Sequence, residues 1–212
     1  MSEWKNSEAD GIIFTTPLPS EQFLQRFPLN ANIIDVGCGY GRILDYLHQK
    51  GYYCLSGIDV SHNYIEAARK IVPNAYLQVS DMSNYDFGEN KYDLVLLMGV
   101  IEYILQDRDQ ELLFEKISKA LTCNGFVLLE TFLLDIHSNW RQYLKGFYKT
   151  GHWGRFTNSK GYECHHQTFQ HLFKSLKKYY VIETFQRQTF LSWTGNACNG
   201  GLFVLQSAQR IK

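Results

Sequence analysis

The chain has 212 residues, 45% hydrophobic and 15% aromatic, which suits one α/β-sized core, and no composition shift along it marks a second domain. Basic and acidic side chains number 21 each, so there is no chain-wide positive field of the kind that coats a phosphate backbone, and no nucleic-acid partner is expected. The five scattered cysteines (Cys38, Cys54, Cys123, Cys164, Cys198) form no Cys-x-x-Cys pair, the polar N-terminus carries no signal pattern, and no apolar run could span a bilayer; these features predict a soluble, cytoplasmic chain with no disulfide framework, no zinc ribbon and no membrane partner.

Short apolar runs alternate with segments of helical period, as in βαβ units around a parallel sheet. Asn32–Val36 reads as a strand, followed by a helix over Arg42–Lys50 with Ile43, Leu44 and Leu47 on one face and Gly51 as its stop. Tyr53–Ile58 reads as a second strand, and Ser61 caps a helix bearing Ile65, Ala68 and Ile71 that ends before Pro73. Ala75–Val79 is a third strand, and Tyr92–Met98 is apolar enough for a central strand covered on both faces. A helix over Asp109–Leu121, a strand over Phe126–Thr131, a helix over Thr168–Lys178 and two closing strands, Tyr180–Phe185 and Leu202–Gln206, complete the pattern. Residues 1–30 and 132–167 break the rhythm and are rich in aromatic side chains; an interruption of that length inside one domain reads as a lid or cap.

Ile33-Ile34-Asp35-Val36-Gly37-Cys38-Gly39-Tyr40-Gly41 ends a strand and opens a helix. Glycines at 37, 39 and 41 permit a tight turn and close approach of a ligand, and the helix start offers free N–H groups. That pattern alone also describes an ordinary βα turn. Asp59 follows Gly37 by 22 positions at the end of the next strand, where a carboxylate can accept both hydroxyls of an adenosine ribose, and Asp81-Met82 ends the third strand, an acid for an adenine amino group beside an apolar neighbour for the ring.

On these residues the chain resembles the class I S-adenosylmethionine-dependent methyltransferases. The matching stretches are Asp35-Val-Gly-Cys-Gly-Tyr-Gly41, Gly57-Ile-Asp59-Val-Ser61, Ser80-Asp81-Met82 and Tyr92-Asp93-Leu-Val-Leu-Leu-Met-Gly-Val-Ile-Glu102-Tyr103; the likeness is strong over residues 30–131 and weak over 165–208. It implies an α/β, Rossmann-like seven-stranded sheet in order 3-2-1-4-5-7-6 with strand 7 antiparallel, helices on both faces and a helical, aromatic insert after strand 5. Residues 1–212 are then one domain, with 1–30 as an N-terminal lid segment and 132–167 as a substrate cap. It implies S-adenosyl-L-methionine as cofactor and S-adenosyl-L-homocysteine as by-product, with Asp35, Gly37, Cys38, Gly39 and Gly41 around the methionine part, Asp59 and Val60 at the ribose, Asp81 and Met82 at the adenine, and Met98 and Gly99 along the cofactor. A nicotinamide fingerprint fits less well, because Arg42 stands where its third glycine belongs.

A sulfonium is an activated methyl donor, so the protein's task is to hold acceptor and methyl in line; a base is required only where the acceptor must lose a proton. Expected catalytic residues are His165, Glu102 and Tyr103, and expected acceptor contacts are Glu102, Tyr103, Trp140, Tyr143, Tyr148, Trp153, His165 and His166. Glu102 admits a second reading as a helix-start carboxylate, Glu130 reads as a paired structural carboxylate or, with Thr131, as a pocket residue, and one of the two histidines reads as an exposed neighbour of a helix cap. His137 is a further base candidate, His171 completes a histidine trio without the supporting ligands of a metal site, so no metal is expected, and Cys38 is a small turn residue rather than a nucleophile. The insert's aromatic residues serve packing, an apolar acceptor pocket, or both, and its Arg141, Lys145, Lys149 and Arg155 form either a solvated face or a guide for an anionic substrate.

The expected activity is methyl transfer to an oxygen or nitrogen of a small molecule, secondary metabolites included, by a monomer or homodimer. No Asp/Asn-Pro-Pro-aromatic segment follows the fourth strand, which lowers the prospect of amino methylation of nucleobases or protein glutamine. Methylation of a peptide or protein acceptor, aminopropyl transfer, and a non-catalytic protein that binds the cofactor to regulate a partner are the alternatives.

Overall fold

In the computed structural model, described for residues 17–135, 139–158, 160–191 and 197–208, the apolar runs become strands β1 (Ile33–Val36), β2 (Leu55–Asp59), β3 (Tyr76–Val79), β4 (Tyr92–Met98) and β5 (Leu121–Phe132). Between them lie α1 (Glu21–Leu24), α2 (Arg42–Gln49), α3 (His62–Ile71) and α4 (Asp107–Ala120); after β5 come α5 (Trp140–Thr150), a small ribbon of β6 (Arg155–Thr157) and β7 (Glu163–His165), α6 (Phe169–Leu176), β8 (Tyr180–Leu191) and β9 (Ala197–Ser207). Seven strands form one sheet in the order β3-β2-β1-β4-β5-β9-β8, parallel from β3 to β5, with β9 antiparallel to both its neighbours. This is the expected 3-2-1-4-5-7-6 order, with β8 and β9 as its sixth and seventh strands.

Alternation along the central strands splits the core in two. Ile34, Val36, Val95 and Leu97 face Leu113, Phe114 and Ile117 of α4 and Leu172 and Leu176 of α6. Ile33, Leu94 and Leu96 face Ile43, Leu44 and Leu47 of α2 and Ile65 and Ala68 of α3. Both faces of β1 and β4 are thus buried, the reason their sequences run apolar without alternation. Ser61 and Thr168 cap α3 and α6 through their side-chain oxygens, as Ser and Thr do at helix starts.

Three features differ from expectation. The closing strands span 12 and 11 residues, because the second half of β8 is a polar sheet edge whose exposed residues hide the strand pattern. β5 begins at Leu121, ahead of a register shift against β4 between Tyr92 and Leu94. The described part of the expected N-terminal lid, residues 17–30, braces the far end of the sheet. Leu24 and Phe27 are buried, Phe23 and Phe27 meet the ring of Phe126, and Arg26 reaches both oxygens of Glu183 at 2.6 and 2.8 Å. Phe126 lies four residues before Glu130, roughly 13 Å down the strand from the end where ligands bind in parallel sheets. Residues 1–16, with Trp4 and Phe14, lie outside the described residues.

The insert has its own small core of Tyr143, Phe156 and Cys164, against which Tyr103 and Leu134 pack. Gly146 lets α5 touch β6: a Cβ there would sit 1.8 Å from the carbonyl oxygen of Arg155. Gly146→Ala is therefore expected to cost about 1–3 kcal/mol. Hydrogen exchange should show faster exchange in β6 and β7 with the central sheet unchanged, and unaltered protection of the ribbon would count against the contact. Among the described residues no helix is long and apolar enough to cross a membrane.

Candidate active site

The glycine turn sits between the ends of β1 and β2. Gly37, Gly39 and Gly41 have φ of 80°, 53° and 88°, a left-handed backbone that disfavours side chains. Gly37 and Cys38 donate their N–H groups to the carbonyl of Ile58, which ties the turn to β2. A Cβ on Gly37 would lie 2.7 Å from Val100, so the loop after β4 closes directly over the turn. Cys38 is buried, and burial with the nearby Asp35 and Asp59 pushes its thiol well above the ordinary range, which suits a packing role.

Asp59, at the tip of β2, is the pivot. One carboxylate oxygen accepts the Gly39 N–H at 2.9 Å and the other accepts the Ser61 N–H at 2.8 Å, so the side chain shapes the glycine turn as well as standing where a ribose is expected. Val60 follows it, partly exposed. Asp81, after β3, accepts from the backbone and hydroxyl of Ser83 at 2.9 and 2.8 Å through Oδ1, and the next residue, the partly buried Met82, packs against the core on the α4 side of the sheet. Met98 and Gly99 close β4, and Gly99 donates to the carbonyl of Glu130 at 3.0 Å. These tips lie side by side because β3, β2, β1 and β4 are parallel neighbours.

Buried carboxyl groups form the next layer. Asp35 is sealed, and burial raises its carboxyl to about 7 despite the nearby Arg42. Glu102 lies in a 3-10 turn (Ile101–Tyr103) held by Gln110, whose side-chain amide donates to the carbonyls of Ile101 and Ile104 at 3.0 and 2.8 Å. Its Oε2 accepts from Thr131 Oγ1 at 3.0 Å, its Oε1 has no partner, and burial lifts it to about 7. Glu130 is fully buried with neither oxygen partnered, and burial followed by the charge of Glu102 raises it well above the ordinary range. The reading of Glu130 as a paired structural carboxylate is thereby corrected. An acid closing the apolar run Phe126-Val-Leu-Leu-Glu130 was the available signal.

The histidines separate. His166 is buried in the insert, its Nδ1 2.9 Å from the Tyr143 hydroxyl, its ring stacked on Phe132 and edge-on to Phe156, and burial lowers it to about 3. Tyr143 and His166 thus form packing core, whereas the expectation had both facing an acceptor. Trp140 and Tyr148 are exposed on α5. His165 and Trp153 line a cavity of about 420 Å³ together with Gln106, Asp107, Arg108, His152 and Arg155. Burial leads the causes that lower His165, which favours its neutral ring at pH 7, and its buried Nδ1 has no hydrogen-bond partner, the nearest acid being Asp107 at 3.7 Å. Asp107 was not foreseen; it precedes His165 by 58 positions and only the fold joins them. His137 lies outside the described residues, and among those described no cluster could hold a metal ion.

Residues 33–125 match the model of a family described as methyltransferase domain. The chain is 25% identical over 123 residues to phosphoethanolamine N-methyltransferase of Plasmodium falciparum, covering 57% of this chain and 46% of that protein. It is 32% identical over 126 residues to tRNA (carboxymethyluridine(34)-5-O)-methyltransferase of Saccharomyces cerevisiae, covering 59% and 44%. This chain thus spans about half the length of the curated relatives it matches. A SAM-dependent methyltransferase structure from Methanosarcina mazei superposes with a TM-score of 0.83 at 21% identity, covering 90% of this chain and 99% of that one.

Proposed function

We propose that this chain, a class I S-adenosylmethionine-dependent methyltransferase by its fold and by its residues 33–125, transfers the cofactor's methyl group to an oxygen or nitrogen of a small molecule. The observation that carries the reading is Asp59 gripping the left-handed glycine turn at the tip of β2, in line with the acids that end β1 and β3. The residues fit the cofactor: the turn leaves room where a Cβ would collide with Val100, and three buried carboxyl oxygens of Glu102 and Glu130 accept no hydrogen bond, an acidic lining that suits a sulfonium. In this reading Gly37, Gly39 and Gly41 receive the methionine part, Asp59 the ribose, Asp81 with Met82 the adenine, and Met98 and Gly99 line the path between.

When bound, S-adenosylmethionine supplies a methyl group already activated on sulfur. The chain's own part is to position the acceptor, exclude water and receive a proton. Glu102, fixed by Thr131 and Gln110, and Tyr103, packed against the insert, border the place of transfer, while His165, whose ring lines the neighbouring cavity, takes the acceptor's proton. Calorimetric titration with S-adenosylmethionine and with S-adenosylhomocysteine tests the first part; a folded protein with no saturable affinity for either overturns it. A mass-spectrometric search for a methylated product in a metabolite extract tests the second, against peptide acceptors as the competing class. A chain that binds the cofactor yet methylates nothing in either pool is the non-catalytic alternative. His165→Ala should lower turnover about 10²–10⁴-fold with cofactor affinity kept; equal turnover removes His165 as the base.

A further inference from the structure

We infer that the cavity between the start of α4 and the β6–β7 ribbon is an oxyanion site, built on Arg155 and Arg108, that receives a phosphate or carboxylate group of the acceptor. The inference rests on the methyltransferase reading for the word acceptor; the binding chemistry stands on the cavity itself. Arg155 reaches in from β6. Its Nη2 donates to the carbonyl of Leu105 at 2.6 Å and to Gln106 Oε1 at 3.2 Å, both neutral oxygens, and its buried Nε has no acceptor. Arg108 stands in the first turn of α4, and among the described residues neither guanidinium belongs to an ion pair.

The one acid in the lining, Asp107, has both carboxylate oxygens engaged, its Oδ1 also lying 3.7 Å from His165 Nδ1. Its Oδ1 accepts from the Gln167 side-chain amide at 3.0 Å and its Oδ2 lies 3.1 Å from His171 Nε2, on the α6 side. Two guanidinium groups therefore border the cavity with a buried N–H left unsatisfied, a costly arrangement in a folded protein and one that a planar or tetrahedral oxyanion drawn against the Arg155 side chain relieves. Trp153 supplies an apolar wall, and a volume of about 420 Å³ holds the anionic end of a small molecule. The charge of the surrounding chain agrees: between Asp135 and Glu163 there is no acidic residue, while Arg141, Lys145, Lys149, Arg155 and Lys160 are all basic, in a chain of zero net charge. Attraction of an anion toward this end of the molecule follows from that asymmetry.

The test is a ¹H–¹⁵N correlation titration of the full chain with inorganic phosphate, and separately with acetate, each at ionic strength matched by sodium chloride. The Arg155 Nε–H and Trp153 indole N–H signals, assigned through Arg155→Lys and Trp153→Phe, should shift saturably with at least one of the two anions, and the anion that saturates names the oxyanion class. Arg108→Gln, a change at an exposed helix position, should weaken that binding about tenfold, as should Arg155→Lys, which keeps the charge and loses the Nε donor. Absence of saturable shifts with both anions, or shifts that sodium chloride reproduces, or affinities unchanged in both variants, overturns the inference. Calorimetry with S-adenosylmethionine on the same samples keeps the two readings apart: cofactor binding without anion binding ends this inference and leaves the proposed activity standing.

Discussion

Glu130→Gln is expected to make the ligand-free protein more stable at pH 8 and to weaken its hold on S-adenosylmethionine. Glu130 and Glu102 are buried together, with three of their four carboxyl oxygens unpartnered. Burial raises both, Glu102 from 4.5 to about 7. An acid whose folded value lies above its unfolded value costs nothing below about pH 4.5, where both states are protonated. The cost grows as pH rises toward 7, because the unfolded chain ionises first. Glu102 and Glu130 share that cost, and Asp35, also raised to about 7, adds in the same direction. Replacing one carboxyl by an amide removes the like-charge neighbour and gives the remaining one a donor. A gain of about 2 kcal/mol at pH 8, or about 4–8 °C in melting temperature, is expected, shrinking toward pH 5. A variant less stable than the parent at pH 8 would show that the folded state depends on that carboxylate. Affinity provides the second readout: Glu130 pairs in register with Met98, beside the expected path of the sulfonium, so the variant should lose affinity for the cationic cofactor more than for its neutral thioether by-product.

The same carboxyl pair marks how far the amino-acid sequence reaches. The central strands, the glycine turn and the acids at the tips of β2 and β3 are legible because each rests on a local pattern: an apolar run, a left-handed turn that glycine favours, an acid at a strand's end; the sheet order came from the family resemblance. Glu130 is visible as a residue but its role stays open between pocket residue and paired carboxylate, since whether a buried acid has a partner depends on groups brought in from β4 and the turn after it. His165 and Asp107 meet only because β7 packs beside the start of α4, a long-range contact that leaves no periodic trace. Tyr143 and His166 illustrate the converse. An aromatic insert suggests a ligand pocket, yet a short helix and a two-stranded ribbon need a core of their own, and these two side chains supply it. In the described part of the N-terminal segment, Phe23 and Phe27 cover the end of the sheet where β5 begins, a long-range contact with no local signal.

Asp59→Ala should weaken S-adenosylmethionine by about 10–150-fold, the equivalent of roughly 1.5–3 kcal/mol for a charged hydrogen-bonding contact. Two losses add. The ribose loses its acceptor, and the Gly39 and Ser61 N–H groups lose theirs, so the turn must be re-formed each time the cofactor binds. Asp59→Asn separates them: the amide oxygen can hold one N–H while the negative charge is gone, and an affinity between those of Ala and the parent is expected. Gly39→Val provides the sharper test, because a β-branched residue at a φ of 53° forces the turn out of the left-handed region at a cost of about 1–2 kcal/mol or more. The strand and helix that flank the turn are packed by other residues, so the variant should remain folded by circular dichroism and lose measurable binding of both the methylated and demethylated forms. If Gly39→Val and Asp59→Ala each bind S-adenosylmethionine with the parent's affinity in calorimetry, the cofactor does not lie on this turn, and the acids at the tips of β1, β2 and β3 need another explanation.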